Sequence, residues 1–150
     1  METSMQRLTE KDLEEAANLF TCVFCSSPWN EPWSVKTSYK RLSDISLTPG
    51  YIGIGYFDST DTLTGFLVGN VEQWADGKSF YIHEICVLGT IQQKGIGTHL
   101  LTCLTNILTE KKVDSVYLST ERGQGKPELF FSKNGFTTNE ARVVMTMDVT

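Results

Sequence analysis

The sequence is poor in the groups that build metal centres and in positive charge. Its 150 residues include two histidines and four cysteines. Cys22 and Cys25 form a lone Cys-x-x-Cys, and Cys86 and Cys103 lie far away. Without a second such pair or paired histidines, no metal site is expected. A thioredoxin-type pair would follow a strand and open a helix, whereas this pair falls late in a predicted helix. The thiols therefore read as small buried side chains. Thirteen Lys and Arg against eighteen Asp and Glu give a formal charge of −5. That balance argues against nucleic acid as a partner, because a phosphate backbone needs a basic surface. A single anion site stays open, since backbone amides can hold a phosphate without net positive charge. Long apolar runs are also missing. The longest uncharged stretches, Ala16 to Asn30 and Gly95 to Thr109, are interrupted by polar residues. Both fall short of the roughly 18–20 apolar residues a membrane span needs. Glu2, Arg7, Glu10, Lys11 and Asp12 interrupt any signal-peptide core. The expectation is a soluble, cytoplasmic protein with no membrane partner.

What is present is a folding composition, 40% hydrophobic and 11% aromatic, which excludes disorder and low complexity. The length fits one domain, residues 1–150, against a prior of roughly 100–200 residues per domain. Met5 to Leu8 reads as a strand. Thr9 caps a helix on which Leu13, Ala16, Ala17, Phe20 and Phe24 recur at helical spacing. Asp12 suits the capping arrangement and the helix dipole. Ser26 to Pro32 breaks the pattern. Ser34 caps a second helix to about Leu47, which Pro49-Gly50 stops. Strands are predicted over Tyr51–Phe57, Leu63–Gln73 and Ser79–Leu88, the last apolar enough to be central. Gly95 to Lys112 is the clearest helix. Ser115–Ser119 reads as a strand and Pro127–Lys133 as a short helix ended by Asn134-Gly135. Phe136–Thr138 and Arg142–Met147 read as final strands. The order β-α-α-β-β-β-α-β-α-β-β implies an α/β (α+β) fold. Its mixed, mostly antiparallel central sheet is flanked by helices.

The chemistry-bearing stretch runs from Tyr81 to Gly97. A buried strand enters a loop, and Gly95 and Gly97 open an amphipathic helix. Glycines let a ligand approach the backbone. The first-turn N–H groups lack helical partners and sit at the positive end of the dipole. Together these suit a phosphate-sized anion. A dinucleotide fingerprint fails because Leu100 stands where a third glycine belongs. A P-loop fails because Pro127 follows Gly125-Lys126 and Thr120 occupies the first-glycine position.

Gln92-Gln93-Lys94-Gly95-Ile96-Gly97 resembles the Gln/Arg-x-x-Gly-x-Gly/Ala signature of the GCN5-related N-acetyltransferase (GNAT) superfamily. Val87, eight residues before Gly95, falls where that family's coenzyme-binding strand ends. The segment Phe130 to Phe136 resembles its Phe-Tyr-x-Lys-x-Gly-Phe segment. The resemblance implies an acetyl-CoA-dependent N-acetyltransferase, an acyltransferase that moves acetyl to a primary amine of a small molecule or peptide. Attack would be direct, in a ternary complex. Acetyl-CoA would be a co-substrate, with its pyrophosphate on the backbone of Gln92, Gln93, Lys94, Gly95, Ile96, Gly97 and Thr98. Its pantetheine would pair with Ile85, Cys86 and Val87 like an extra strand. The strand ending at Ser119-Thr120 would splay away, freeing polar backbone groups for an oxyanion hole. Lys94 is either a phosphate screen or a solvated loop lysine. A homodimer is compatible with the resemblance.

Glu84 is the expected catalytic residue, attracting the amine or taking its proton through a water. Strand alternation puts His83 on the opposite face, packed or at the surface. Tyr81 and Glu72 are further candidates for binding the amine. Trp29 and Trp33, set among Pro28, Glu31 and Pro32, suit either an aromatic, acidic wall for a cationic acceptor or a hydrophobic latch between helices. Phe131 stands where the family's proton-donating Tyr falls. The missing hydroxyl keeps an alternative alive, a catalytically weak acyl-CoA-binding sensor. Ser132, Ser119 and Tyr117 are substitute donors, and Gln124 is the residue nearest the family's Asn.

Overall fold

A computed structural model of the chain describes residues 3–89, 95–122 and 126–150. Its elements fall into two units, Met1–Leu118 and Ser119–Thr150.

In the first unit, β1 (Ser4–Arg7) leads through Thr9 into a 3-10 turn at Glu10–Asp12 and then α1 (Leu13–Phe24). The Asp12 carboxylate accepts the Thr9 backbone N–H at 2.9 Å, so the expected capping residue works through the short turn. Helix α2 (Val35–Ser46) starts where Ser34 Oγ accepts the Thr37 N–H at 3.0 Å. Thr37 Oγ1 in return accepts the Ser34 N–H at 3.0 Å, which closes a reciprocal cap.

The strands β2 (Tyr51–Phe57), β3 (Leu63–Trp74) and β4 (Gly77–Val87) form an antiparallel meander, with β1 outside β2. After α3 (Ile96–Glu110), β5 (Ser115–Tyr117) joins β4 in parallel. The sheet order is β1-β2-β3-β4-β5. Helices α1 and α2 cover one face, where Leu13, Phe20, Leu42, Phe66, Val68 and Cys86 share a core. Helix α3 packs on β2, β3 and β4 and buries Leu100, Leu101, Leu104 and Leu108.

Two features of β4 create a site. Its pairing with β3 shifts register between Val68 and Gly69, so that Val68 faces Glu84 while Gly69 faces Ile82. His83 is the extra residue of a β-bulge. Its pairing with β5 also stops early, covering only Ser79–Tyr81 against Ser115–Tyr117. Beyond Tyr81, β4 runs on with no β5 neighbour among the described residues.

In the second unit, α4 (Lys126–Lys133) ends as expected at Asn134-Gly135. Gly135 has φ +92°, and the Asn134 and Phe136 N–H groups both return to the Phe131 carbonyl at 3.0 Å. Among the described residues, Phe136–Thr138 and Arg142–Met147, expected as strands, carry no strand. Neither segment pairs in a ladder among the described residues. A periodic pattern sets a preference for strand, but a strand exists only when a neighbour supplies its hydrogen bonds.

Candidate active site

The bulge decides which side chains meet. Pairing partners in a ladder point to the same face, so Glu84 shares the helical face with Val68, and Tyr81 shares it with Asn70. A regular strand would separate positions 81 and 84. The extra residue at 83 reunites them, and it also overturns the expectation that His83 points away. The His83 ring lies edge-on to Tyr81 at 4.7 Å, and its Nε2 is 2.7 Å from Asn70 Oδ1. Asn70 is buried. Burial and the nearby Arg41 charge hold the His83 pKa below its ordinary value, with Glu72 acting weakly the other way. His83 is therefore a neutral imidazole at neutral pH.

Glu84 receives a partner from α2. Arg41 Nε and Nη2 both donate to its Oε2, at 3.2 and 3.0 Å. The Glu84 side chain is 20% exposed and that of Arg41 39%. Burial raises the carboxyl pKa, Arg41 pulls it back, and Glu31 adds a further upward push. The net direction is up, because removing water from a carboxylate here outweighs one half-exposed guanidinium. Among the described residues Oε1 accepts no hydrogen bond.

The cluster continues toward β5. Tyr117 Oη donates to Glu72 Oε1 at 2.6 Å, and Trp74 Nε1 donates to the same oxygen at 3.3 Å. Tyr81 and Tyr117 lie 4.8 Å apart. The loop between α1 and α2 packs both of its tryptophans on the core. Trp29 lies edge-on to Phe24 at 5.1 Å and Trp33 edge-on to Phe20 at 4.7 Å, a latch on the core. Trp33 Nε1 also holds Glu31 Oε1 at 2.9 Å. Glu31 is the loop carboxylate that acts on Glu84.

The expected coenzyme side is described in part. Gln92, Gln93 and Lys94 lie outside the described residues, as does Gln124. Gly95 has φ +80°, a left-handed cap that a side chain would strain, and a Cβ built there meets nothing within 4 Å. Ile96, Gly97 and Thr98 form the first turn of α3, whose N–H groups have no helical carbonyl to donate to. Ile85 and Val87 are half-buried. Cys86 is buried, and burial pushes its thiol pKa well up. A stretch of β4 without a β5 neighbour among the described residues and a glycine-led helix start suit an extended, amide-bearing arm ending in phosphates. The residues present therefore fit acetyl-CoA.

Other expectations fare differently. Cys22, in the last turn of α1, and Cys25, its C-cap, are exposed thiols rather than buried ones. Phe131 is buried in α4, with its ring 5.1 Å from Phe130 and 5.3 Å from Phe136. Sequence reading missed Arg41, which is 43 positions from Glu84. It also missed Asn70 and the placement of His83, which depend on register.

The comparisons with known proteins agree with this architecture. The acetyltransferase (GNAT) family matches residues 13–136. No curated protein sequence is a significant match. Solved structures share the fold. A possible acetyltransferase from Clostridium difficile 630 superposes with TM-score 0.82 at 13% identity, covering all of both chains. The aminoglycoside acetyltransferase meta-AAC0020 from an uncultured soil metagenomic sample, in complex with sisomicin, gives TM-score 0.76 at 20% identity, over 99% of this chain and 97% of that one. The aminoglycoside 6'-N-acetyltransferase AAC(6')-Ih from Acinetobacter baumannii gives 0.76 at 12%, over 99% of each chain. A family match over most of the chain, on a sheet with the expected order, makes this protein a member of the acetyltransferase (GNAT) family.

Proposed function

We propose that the chain is an acetyl-CoA-dependent N-acetyltransferase acting on a primary amine of a small molecule or peptide, by direct attack in a ternary complex. The observation that carries this reading is Glu84, with one oxygen tied to Arg41 and the other without a hydrogen bond among the described residues, on a face shared with Tyr81 and His83. Acetyl-CoA supplies the acetyl thioester. The β4 backbone at Ile85, Cys86 and Val87 would bind the pantetheine arm, and the first turn of α3, with Gln92 to Lys94, its phosphates.

The acceptor arrives as an ammonium, which has no lone pair. Glu84 Oε1 attracts it and takes its proton, directly or through a water, while Arg41 holds Oε2 and fixes the carboxylate orientation. Tyr81, Trp29 and Trp33 line the acceptor side, and Glu31 and Glu72 add negative charge that favours a cation. The aminoglycoside acetyltransferases among the structural neighbours make a polyamine-like acceptor a reasonable first probe. The thiolate leaves with little help, since a thiol pKa is near roughly 8.5. That accounts for a chain with Phe131 in place of a donor hydroxyl.

Thermal unfolding with acetyl-CoA, with NADPH as control, tests the coenzyme site. Ligand at about a hundred times its dissociation constant adds roughly 2.7 kcal/mol, which raises the midpoint by about 5–10 °C for a domain of this size. No rise at millimolar acetyl-CoA rejects the reading. Stabilisation without thiol release across an amine panel selects the acyl-CoA sensor instead.

A further inference from the structure

His83 stands beside Glu84 on β4 with one ring nitrogen engaged and the other open. Nε2 is 2.7 Å from Asn70 Oδ1. That oxygen belongs to a buried side chain and can only accept, so Nε2 carries the hydrogen of the neutral ring. A neutral imidazole has one such hydrogen, which leaves Nδ1 as a bare lone pair. Nδ1 takes part in no hydrogen bond among the described residues. The Tyr81 ring meets the imidazole edge-on at 4.7 Å. The charged and titratable groups around it are Arg41 on α2, Glu72 on β3, Glu84 and Tyr81 on β4, and Tyr117 on β5 against Tyr81. Burial and Arg41 hold its pKa low, so the lone pair is present at neutral pH.

Amide formation has a use for that second lone pair. A primary ammonium carries three hydrogens on nitrogen and the amide product carries one, so two protons must leave. Glu84 Oε1 takes the first. The freed lone pair then forms the N–C bond, and the carbonyl electron pair moves onto oxygen. The nitrogen is now positively charged and still holds two hydrogens. Glu84, protonated by the first transfer, cannot take another until it has released its own to water. Glu84 Oε1 and His83 Nδ1 are two acceptor atoms of this cluster that receive no hydrogen bond among the described residues.

We propose that His83 Nδ1 is the second proton acceptor of the site, taking the proton that the attacking nitrogen sheds once the N–C bond has formed, with Asn70 as the positioning residue that keeps the hydrogen on Nε2. The inference rests on the reading of the chain as an N-acetyltransferase. Once Nδ1 has the proton, the oxygen electron pair re-forms the carbonyl, the C–S bond breaks, and the thiolate leaves with its electron pair. Glu84 and His83 then return both protons to solvent. The thiolate takes one back, so an ammonium and a thioester give an amide, a thiol and one free proton. The bulge is what brings both acceptors to one face, because adjacent residues of a regular strand point apart.

The test is the pH dependence of kcat for thiol release from acetyl-CoA, using the fastest amine of a panel that includes spermine. Two groups that must both be unprotonated make the acid limb of log kcat steepen toward a slope of two. His83→Gln keeps a donor for Asn70 and has no basic nitrogen. It is expected to lower kcat about a hundredfold and to leave a limb of slope one. Asn70→Asp keeps the accepting oxygen and adds a negative charge that favours the imidazolium, so it should move the His83 limb to higher pH. Nitrogen-15 NMR of the histidine rings at pH 8, assigned with the His83→Gln spectrum, should show the hydrogen on Nε2 and a bare Nδ1. An active wild type in which His83→Gln keeps both rate and limb overturns the inference alone. So does a wild-type His83 protonated on Nδ1 at pH 8. A wild type that releases no thiol across the panel overturns the acetyltransferase reading and this inference with it. Should His83→Gln fail to fold, an unmoved limb in Asn70→Asp overturns the inference, and a limb moved upward with the Nε2–H form in the wild type supports it.

Discussion

Glu84 is pulled in opposite directions, and the balance has kinetic consequences. Burial and Glu31 raise its pKa, while Arg41 lowers it. A base must be unprotonated to accept a proton, so the rate rises as pH climbs through that pKa. The acid limb of the pH–rate profile is expected above the ordinary glutamate range. Glu84→Gln should lower turnover at saturating substrates by about a hundredfold or more and flatten that limb. An unchanged profile would remove Glu84 as base and leave His83, neutral and on the same face, as the next candidate. Arg41→Ala removes the lowering influence, so the limb should move further up, with Arg41→Lys restoring part of it. A purely structural arginine would change stability and leave the limb in place. Glu84 was legible as a carboxylate on a central strand. Its partner was not, because a contact spanning 43 positions is set by how α2 lies on the sheet.

At the scale of elements, local chemistry was readable and pairing was not. Ser34 announces α2, Tyr51 to Phe57 announces β2, and Asn134-Gly135 announces the end of α4. Each rests on residues a few positions apart. The bulge depends on β3 instead. A Cβ at Gly69 would collide with the Tyr81 carbonyl and come within 2.6 Å of the Phe80 ring. Glycine is needed there so that β4 can crowd against β3 as it gains its extra residue. Gly69→Ala should cost about 1–3 kcal/mol through overpacking. It should also lower kcat more than the loss of stability explains, measured well below the melting midpoint. Full activity in a destabilised Gly69→Ala protein would show that the local fit and the site are independent. Phe136–Thr138 and Arg142–Met147 mark the other limit, since alternation there predicts a strand without naming what it pairs with.

For the whole molecule, helices lie on both faces of a five-stranded sheet, and past Tyr81 β4 has no β5 neighbour among the described residues. A ligand that completes the ladder there should protect nearby amides from exchange. Adding acetyl-CoA is expected to slow exchange at Ile82 to Cys86 and in the first turn of α3, and to leave β2 unchanged. Uniform protection across the sheet would mean global stabilisation without a seat at β4. The order of elements and the glycine-led helix were enough to see this architecture in outline. The reactive face was not visible, because it depends on a count of residues. Glu84 lies beside Tyr81 and Arg41 because β4 has one residue more than its partner strand across the bulge. Pairing β4 with β3 in one regular register, with His83 kept in the ladder, would leave Glu84, Tyr81 and Arg41 in the chain while turning the acid to the α3 side. The site is thus written partly in spatial reading frame, and a one-residue slip of register can take it apart with every one of its side chains still present.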